Sequence, residues 1–228
     1  MERAQAMAFE GFRPAALQFF RDLAAHQDRA WFQANRAVYE REVLAPLRSL
    51  VAALASDLPR CGVPLTADPL KAVFRIHRDV RFARDKSPYK THAGAVLSRD
   101  GSKDGFGILY IHVDPQGSFV AAGFWQPAPP ALEALRQAML AQPAQLLAAL
   151  DALAAANAEL RREDALARLP RGFEAAAGGP VAEYVKLRHL IAQRPIAAAD
   201  LAQPTLPAKL AEFAAAALPL LRFGWDAL

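Results

Sequence analysis

KAVFRIHRDVRFARDKSPYKTH, residues Lys71–His92, sets the frame for everything around it. Its first half alternates. Phe74, Ile76, Arg78, Val80 and Phe82 fall on one side of an extended chain, and Val73, Arg75, His77, Asp79 and Arg81 on the other. Period two predicts a strand. The same 22 residues hold seven Lys/Arg against two Asp, a balance of +5, whereas the whole 228-residue chain carries +4. The excess positive charge is concentrated in this one segment, and the remainder is close to neutral.

Downstream, Thr91–Ser98, Phe106–Val113 and Ser118–Trp125 read as further strands. Arg99–Gly105 is a turn bearing Gly and Asp. Asp114-Pro115-Gln116-Gly117 has Pro and Gly where a type I turn takes them. Short loops between strands favour an antiparallel meander, so a four-stranded sheet over about residues 72–125 is expected. Upstream, Leu17, Phe20 and Leu23 give a helical stripe after Pro14. Asp28 is placed to cap a second helix carrying Trp31, Phe32, Val38 and Tyr39, and Pro46 should kink or restart it. After Pro127, Pro129 and Pro130 the pattern is helical to the end, with helices expected at 131–141, 144–160, Val181–Gln193 and 206–221. The expected architecture is α+β: a central meander packed by N-terminal and C-terminal helices, as one domain over 9–228 behind a flexible tail at 1–8.

Composition narrows the classes. Apolar residues make up 54%, enough for a substantial core. The single cysteine, Cys61, excludes an intrachain disulfide and a cysteine-based zinc cluster. No signal-peptide pattern and no long apolar run is present, so a cytoplasmic protein without membrane contact is expected. A pI near 9.5 permits acidic partners, but +4 is too mild to demand nucleic acid.

The chemistry on offer lies in the charged segment. Arg75, Arg78, Asp79, Arg81, Asp85, Lys86, Tyr89 and Lys90 form a candidate grip for a small phosphorylated or carboxylated ligand. Guanidiniums grip such groups bidentately, and a loop stiffened by Pro88 presents Lys86, Tyr89 and Lys90 beside them. Trp31, Arg36, Tyr39, Trp125, Arg171 and Lys186 form an accessory set. The same charges also fit a nucleic-acid groove, or a lattice of structural ion pairs in a scaffold protein. Arg78 is the anomaly, because it shares a face with Ile76 and Val80. If buried it needs a carboxylate, such as Glu40, Glu42 or Glu183, or a bound anion. The histidines lack metal-binding spacing; His77, His92 and His112 lie on neighbouring strands, but period two does not require them to converge. Neither a metal nor a cofactor is expected, and no catalytic residue is assigned.

Four blocks of sequence resemble the DUF2461 family of uncharacterised bacterial and fungal proteins. They are HQDRAWFQANRAVYEREVLAP at 26–46, FRIHRDVRFARDKSPYKTH at 74–92, LYIHVDPQGSFVAAGFWQP at 109–127 and LPRGFEAAAGGPVAEYVKLRHLIAQRP at 169–195. The second block is the most specific. The chain departs from the family pattern at His26-Gln27, where Asn-Asn is usual, at Ala30, where Glu is usual, and at His77, where an aromatic is usual. The last departure argues against a catalytic role for His77. The resemblance implies an α+β fold and a bacterial source, and brings no activity with it.

Overall fold

The computed structural model describes residues 8–228, so the tail expected at 1–8 lies, apart from Ala8, outside the described residues. Helix α1 (Pro14–Ala25) opens on a proline, whose missing N–H would have no partner in a first turn anyway, and buries Ala16, Phe19, Phe20 and Leu23. Asp28 caps α2 (Arg29–Val38), its carboxylate accepting the Trp31 N–H at 2.8 Å, a contact worth about 1 kcal/mol. Helix α2 runs into α3 (Ala45–Arg60) through a widened π-helical turn, Tyr39–Leu44. Pro46 accounts for that turn: it has no N–H to give the Glu42 carbonyl, and its ring crowds the preceding turn. The disruption expected at Pro46 is absorbed as a wider turn within a continuous helical path.

The charged segment departs from expectation. After the short α4 (Pro69–Ala72) the chain forms isolated bridges and no regular strand. Val73 bridges to Ala95, and the Phe74 N–H donates to the Gly94 carbonyl at 2.9 Å. Two residues later the chain pairs with itself. The Arg78 N–H donates to the Pro88 carbonyl at 2.9 Å, and the Lys90 N–H to the Ile76 carbonyl at 2.8 Å. The period-two run is therefore split: residues 73–74 close the outer edge of the sheet, 76–78 pair with 88–90, and 79–87 form an irregular tip. A strand is held by its neighbours. A tip carrying this much charge, with only Val80 and Phe82 apolar on one side and a proline without an N–H following, has little apolar surface to commit to a sheet.

The sheet has five strands, not four: β1 (Ala93–Ser98), β2 (Ile108–Val113), β3 (Ser118–Phe124), β4 (Glu159–Leu160) and β5 (Leu190–Ile196), in the order β1-β2-β3-β5-β4 and antiparallel throughout. The β1–β3 meander matches the last three strands expected. The Asp114–Gly117 turn closes through Gly117 N–H to the Asp114 carbonyl at 3.3 Å. Helices α5 (Pro129–Ala141) and α6 (Pro143–Ala155) meet at 99°. The helix expected over Val181–Gln193 is corrected: only α7 (Ala182–Val185) is helical, and Leu190–Ile196 is the strand that pairs with β3. A run such as Leu190-Ile191-Ala192, buried throughout, has no periodicity to separate strand from helix, and the vacant edge of β3 decides it. The short α8 (Ala198–Leu201) and the long α9 (Leu206–Asp226) complete the chain.

The two faces of the sheet differ. Leu97, Leu109, Ile111, Val120, Ala122 and Phe124 belong to the buried core, and α3 and α9 pack on the sheet. Gly224 brings α9 down onto Phe124: a Cβ there would lie 2.2 Å from the ring. Gly94, Val96, Tyr110, Phe119, Ala121, Ile191 and Gln193 occupy the alternate positions and form the floor of a cavity. Among the described residues no single helix is long and apolar enough to cross a membrane.

Candidate functional site

The cavity over the second face has a volume of about 350 Å³, within the usual range for small-molecule sites. Period two supplies its floor: Ile108 and Tyr110 from β2, Gly94 and Val96 from β1, Phe119 and Ala121 from β3, Ile191 and Gln193 from β5. Loops supply its walls. Phe74, Lys90 and His92 come from the ends of the charged segment, Lys103 from the β1–β2 loop, Trp125 from the end of β3, and Arg161 from just past β4.

Lys90 and Lys103 stand over one aromatic ring, their ammonium groups 5.4 and 5.1 Å from the Phe74 centroid. Lys103 Nζ also donates to the Val73 carbonyl at 2.8 Å, which fixes the loop to the sheet edge. Burial, with Arg75 and Lys103 nearby, pulls the Lys90 pKa down. On the opposite wall the Arg161 guanidinium lies 5.5 Å from the Trp125 ring and donates to Glu163 at 3.2 Å. Trp125 in turn stacks on His189 at 4.5 Å. Among the described residues no carboxylate lines the cavity.

At one end of the cavity, Tyr110, His112 and Asp114 form a chain of contacts. The Tyr110 hydroxyl and His112 Nδ1 share a hydrogen bond at 2.9 Å, and His112 Nε2 lies 3.4 Å from Asp114 Oδ2. The His92 ring sits 4.4 Å from that of His112, which stacks on Phe119 at 4.5 Å. Burial, with His112 beside it, depresses His92 to about 4, and burial lowers His112 as well despite Asp114. Tyr110 is pushed up to about 12 by burial and by Asp114.

Of the expected grip, only Lys90 lines this cavity. Arg78 is part-buried and pairs with Asp85 of its own tip, which answers the question of its partner without Glu40, Glu42 or Glu183. Asp79 holds Arg81 through contacts of 3.0 and 2.7 Å, and Lys86 Nζ donates to the Val80 carbonyl at 2.9 Å. Tyr89 is a core residue, 3% exposed and stacked on Phe32 at 4.5 Å. The Gln27 carboxamide clamps it, accepting its N–H at 3.1 Å and donating to its carbonyl at 3.3 Å. Arg75 is exposed and lines a second, more open cleft of about 540 Å³ with the accessory residues Arg36 and Tyr39. Phe74 and Lys103 line both hollows. Of the other accessory residues, Trp125 lines the first cavity, Trp31 packs on Phe19 and His26, Lys186 pairs with Glu183 at 2.7 Å, and Arg171 lies exposed in the 170–174 turn.

Lys103, Tyr110, Asp114 and Arg161 have no place in the sequence-based grip. Tyr110 and His112 were legible as a polar pair on one face of a strand. Lys103 and Asp114 sit in turns whose residues read as turn formers, and Arg161 follows a strand that the helical pattern concealed.

The family profile described as "Conserved hypothetical protein (DUF2461)" matches residues 15–223. The chain belongs to the DUF2461 family. No curated protein and no solved structure matches it significantly.

Proposed function

We propose that the cavity over the open sheet face binds a small anionic ligand, phosphorylated or carboxylated, with a flat or apolar body. One observation carries the reading: Lys90, Lys103 and Arg161, from three separate segments, wall a cavity that Phe74, Tyr110, Phe119 and Trp125 also line and that no carboxylate lines among the described residues. Two ammonium groups over the same ring repel each other, and an anion between them and the guanidinium would relieve that repulsion. Phe74, Tyr110, Phe119 and Trp125 provide surfaces for a ring or an acyl body. Enclosure supports a small ligand over an oligonucleotide, which would lie along an open stripe.

The test follows the intrinsic tryptophan fluorescence, to which Trp125 contributes from the cavity wall, and the heat of binding while the protein is titrated with inorganic phosphate, AMP and benzoate. Saturable binding of at least one is expected. Lys90→Met and Lys103→Met, which keep the apolar stems, should each weaken it by about 10-fold or more, as for a lost charged hydrogen bond. Failure of all three probes, or indifference to both substitutions, would overturn the reading. A steep fall in oligonucleotide affinity with salt would favour the nucleic-acid alternative instead.

A further inference from the structure

We infer that His92, His112 and Asp114 form a binding site for a divalent first-row metal ion at one end of the cavity, with positions left open for water or for the anionic end of a ligand. Each residue offers one donor atom, and the three donors lie within 4.8 Å of one another. Ligands 2.0–2.1 Å from a tetrahedral ion stand about 3.4 Å apart. The 3.4 Å between His112 Nε2 and Asp114 Oδ2 already meets that spacing. A small rotation of His92, carried on the loop just before β1, closes the third side.

The surroundings fit ligation. The donors come from a loop, a strand end and a tight turn, and two of them, His112 and Asp114, are held independently of an ion. His112 is stacked between Phe119 and His92. Asp114 uses its other oxygen, Oδ1, to accept the Gln116 N–H at 2.7 Å, which orients the carboxylate and leaves Oδ2 toward His112. Tyr110 occupies the position of an outer partner. With a metal on Nε2, His112 keeps its proton on Nδ1 and donates it to the Tyr110 oxygen 2.9 Å away, the arrangement that fixes metal-ligating histidines elsewhere. Without a metal the direction reverses: Tyr110 donates to Nδ1, and Nε2–H faces Asp114. Two nitrogens and one carboxylate oxygen suit Zn²⁺, Fe²⁺, Co²⁺ or Mn²⁺ over Ca²⁺ or Mg²⁺, which prefer all-oxygen sets. Because His92 lines the cavity, an ion there would face the ligand site, where it could polarise a bound oxygen or acidify a bound water.

The metal-free full chain is titrated with Zn²⁺ and with Co²⁺ alone in a non-coordinating buffer. Heat and the visible Co²⁺ spectrum report binding, and histidine ¹⁵N shifts report the tautomer. The expected result is one tight equivalent, a Co²⁺ band, and movement of the His112 proton to Nδ1. His92→Ala and Asp114→Asn, each checked for retained fold, should each weaken binding by at least 10-fold, and Tyr110→Phe should weaken it less while keeping the stoichiometry. No binding by the unmodified chain, or binding that neither His92→Ala nor Asp114→Asn affects, would overturn the site. No organic ligand enters these titrations, so their outcome is independent of whether the cavity binds an anion.

Discussion

The Tyr110 hydroxyl rests directly over Gly94, where an added Cβ would come within 2.6 Å of it. The two residues lie two register positions apart on adjacent strands and so share a face, Gly94 opposite His112 and Tyr110 opposite Val96. A glycine in β1 costs some strand stability. Here it lets the tyrosine lie flat across the sheet and reach His112. Gly94→Ala should push the ring away and break the hydrogen bond to His112, destabilising the fold by about 1–3 kcal/mol. Denaturant melts and the Tyr110 ring resonances would measure this. Gly117→Ala, where a Cβ meets nothing within 4 Å, is the control and should change stability by less than about 0.5 kcal/mol.

The charged segment has a rooted base and a solvated tip, and substitutions should separate them. Tyr89→Ala empties a core position beside Phe32 and is expected to cost about 3–5 kcal/mol, as for other large aromatic truncations. Phe82, 96% exposed at the tip, packs on almost nothing, so Phe82→Ala should stay within about 0.5 kcal/mol. Gln27→Ala removes both side-chain contacts to the Tyr89 backbone and should fall between them, at about 1–3 kcal/mol. Chemical denaturation of the three variants gives the ranking.

Acid should loosen the tip late. Hydrogen bonds from Ser87, followed by the Arg78 guanidinium, hold the Asp85 carboxyl well below its ordinary value. A depressed carboxylate stabilises the folded arrangement above its unfolded pKa, and that contribution is lost only as pH falls through the lower, folded value. Hydrogen exchange at the Ser87 amide, which donates to Asp85 at 2.9 Å, should remain slow at about pH 4 and speed up only in stronger acid. Asp85→Asn should remove the pH dependence. Unfastening of the amide already near pH 4–5 would contradict the assignment.

Much of the fold was legible because local rules and tertiary demands agree there. Asp28 caps, Pro46 disrupts, and the 93–124 meander alternates with turns of fitting chemistry. Two segments misled for opposite reasons. Residues 73–82 alternate well enough for a strand, but alternation describes which way side chains point and does not supply a partner strand. Residues 190–192 are buried without alternation, and only the edge of β3 identifies 190–196 as a strand. The candidate site was legible in part. Clustered charge drew attention to a segment whose ends, Phe74, Lys90 and His92, line the cavity. Its middle charges pair with one another within the tip. Positive charge counts alike in a sequence whether it is neutralised next door or aimed into a cavity.

The short ladder joining 76–78 to 88–90 has a consequence for how such a chain tolerates change. Everything the segment contributes to the cavity lies at or below the root of that ladder, with Phe74 before it, Lys90 as its last bonded residue and His92 after it, whereas the tip lies beyond it. The clasp insulates the two. Residues 79–87 can lengthen, shorten or exchange charges as an interchangeable attachment, and the geometry of the cavity wall would be inherited unaltered.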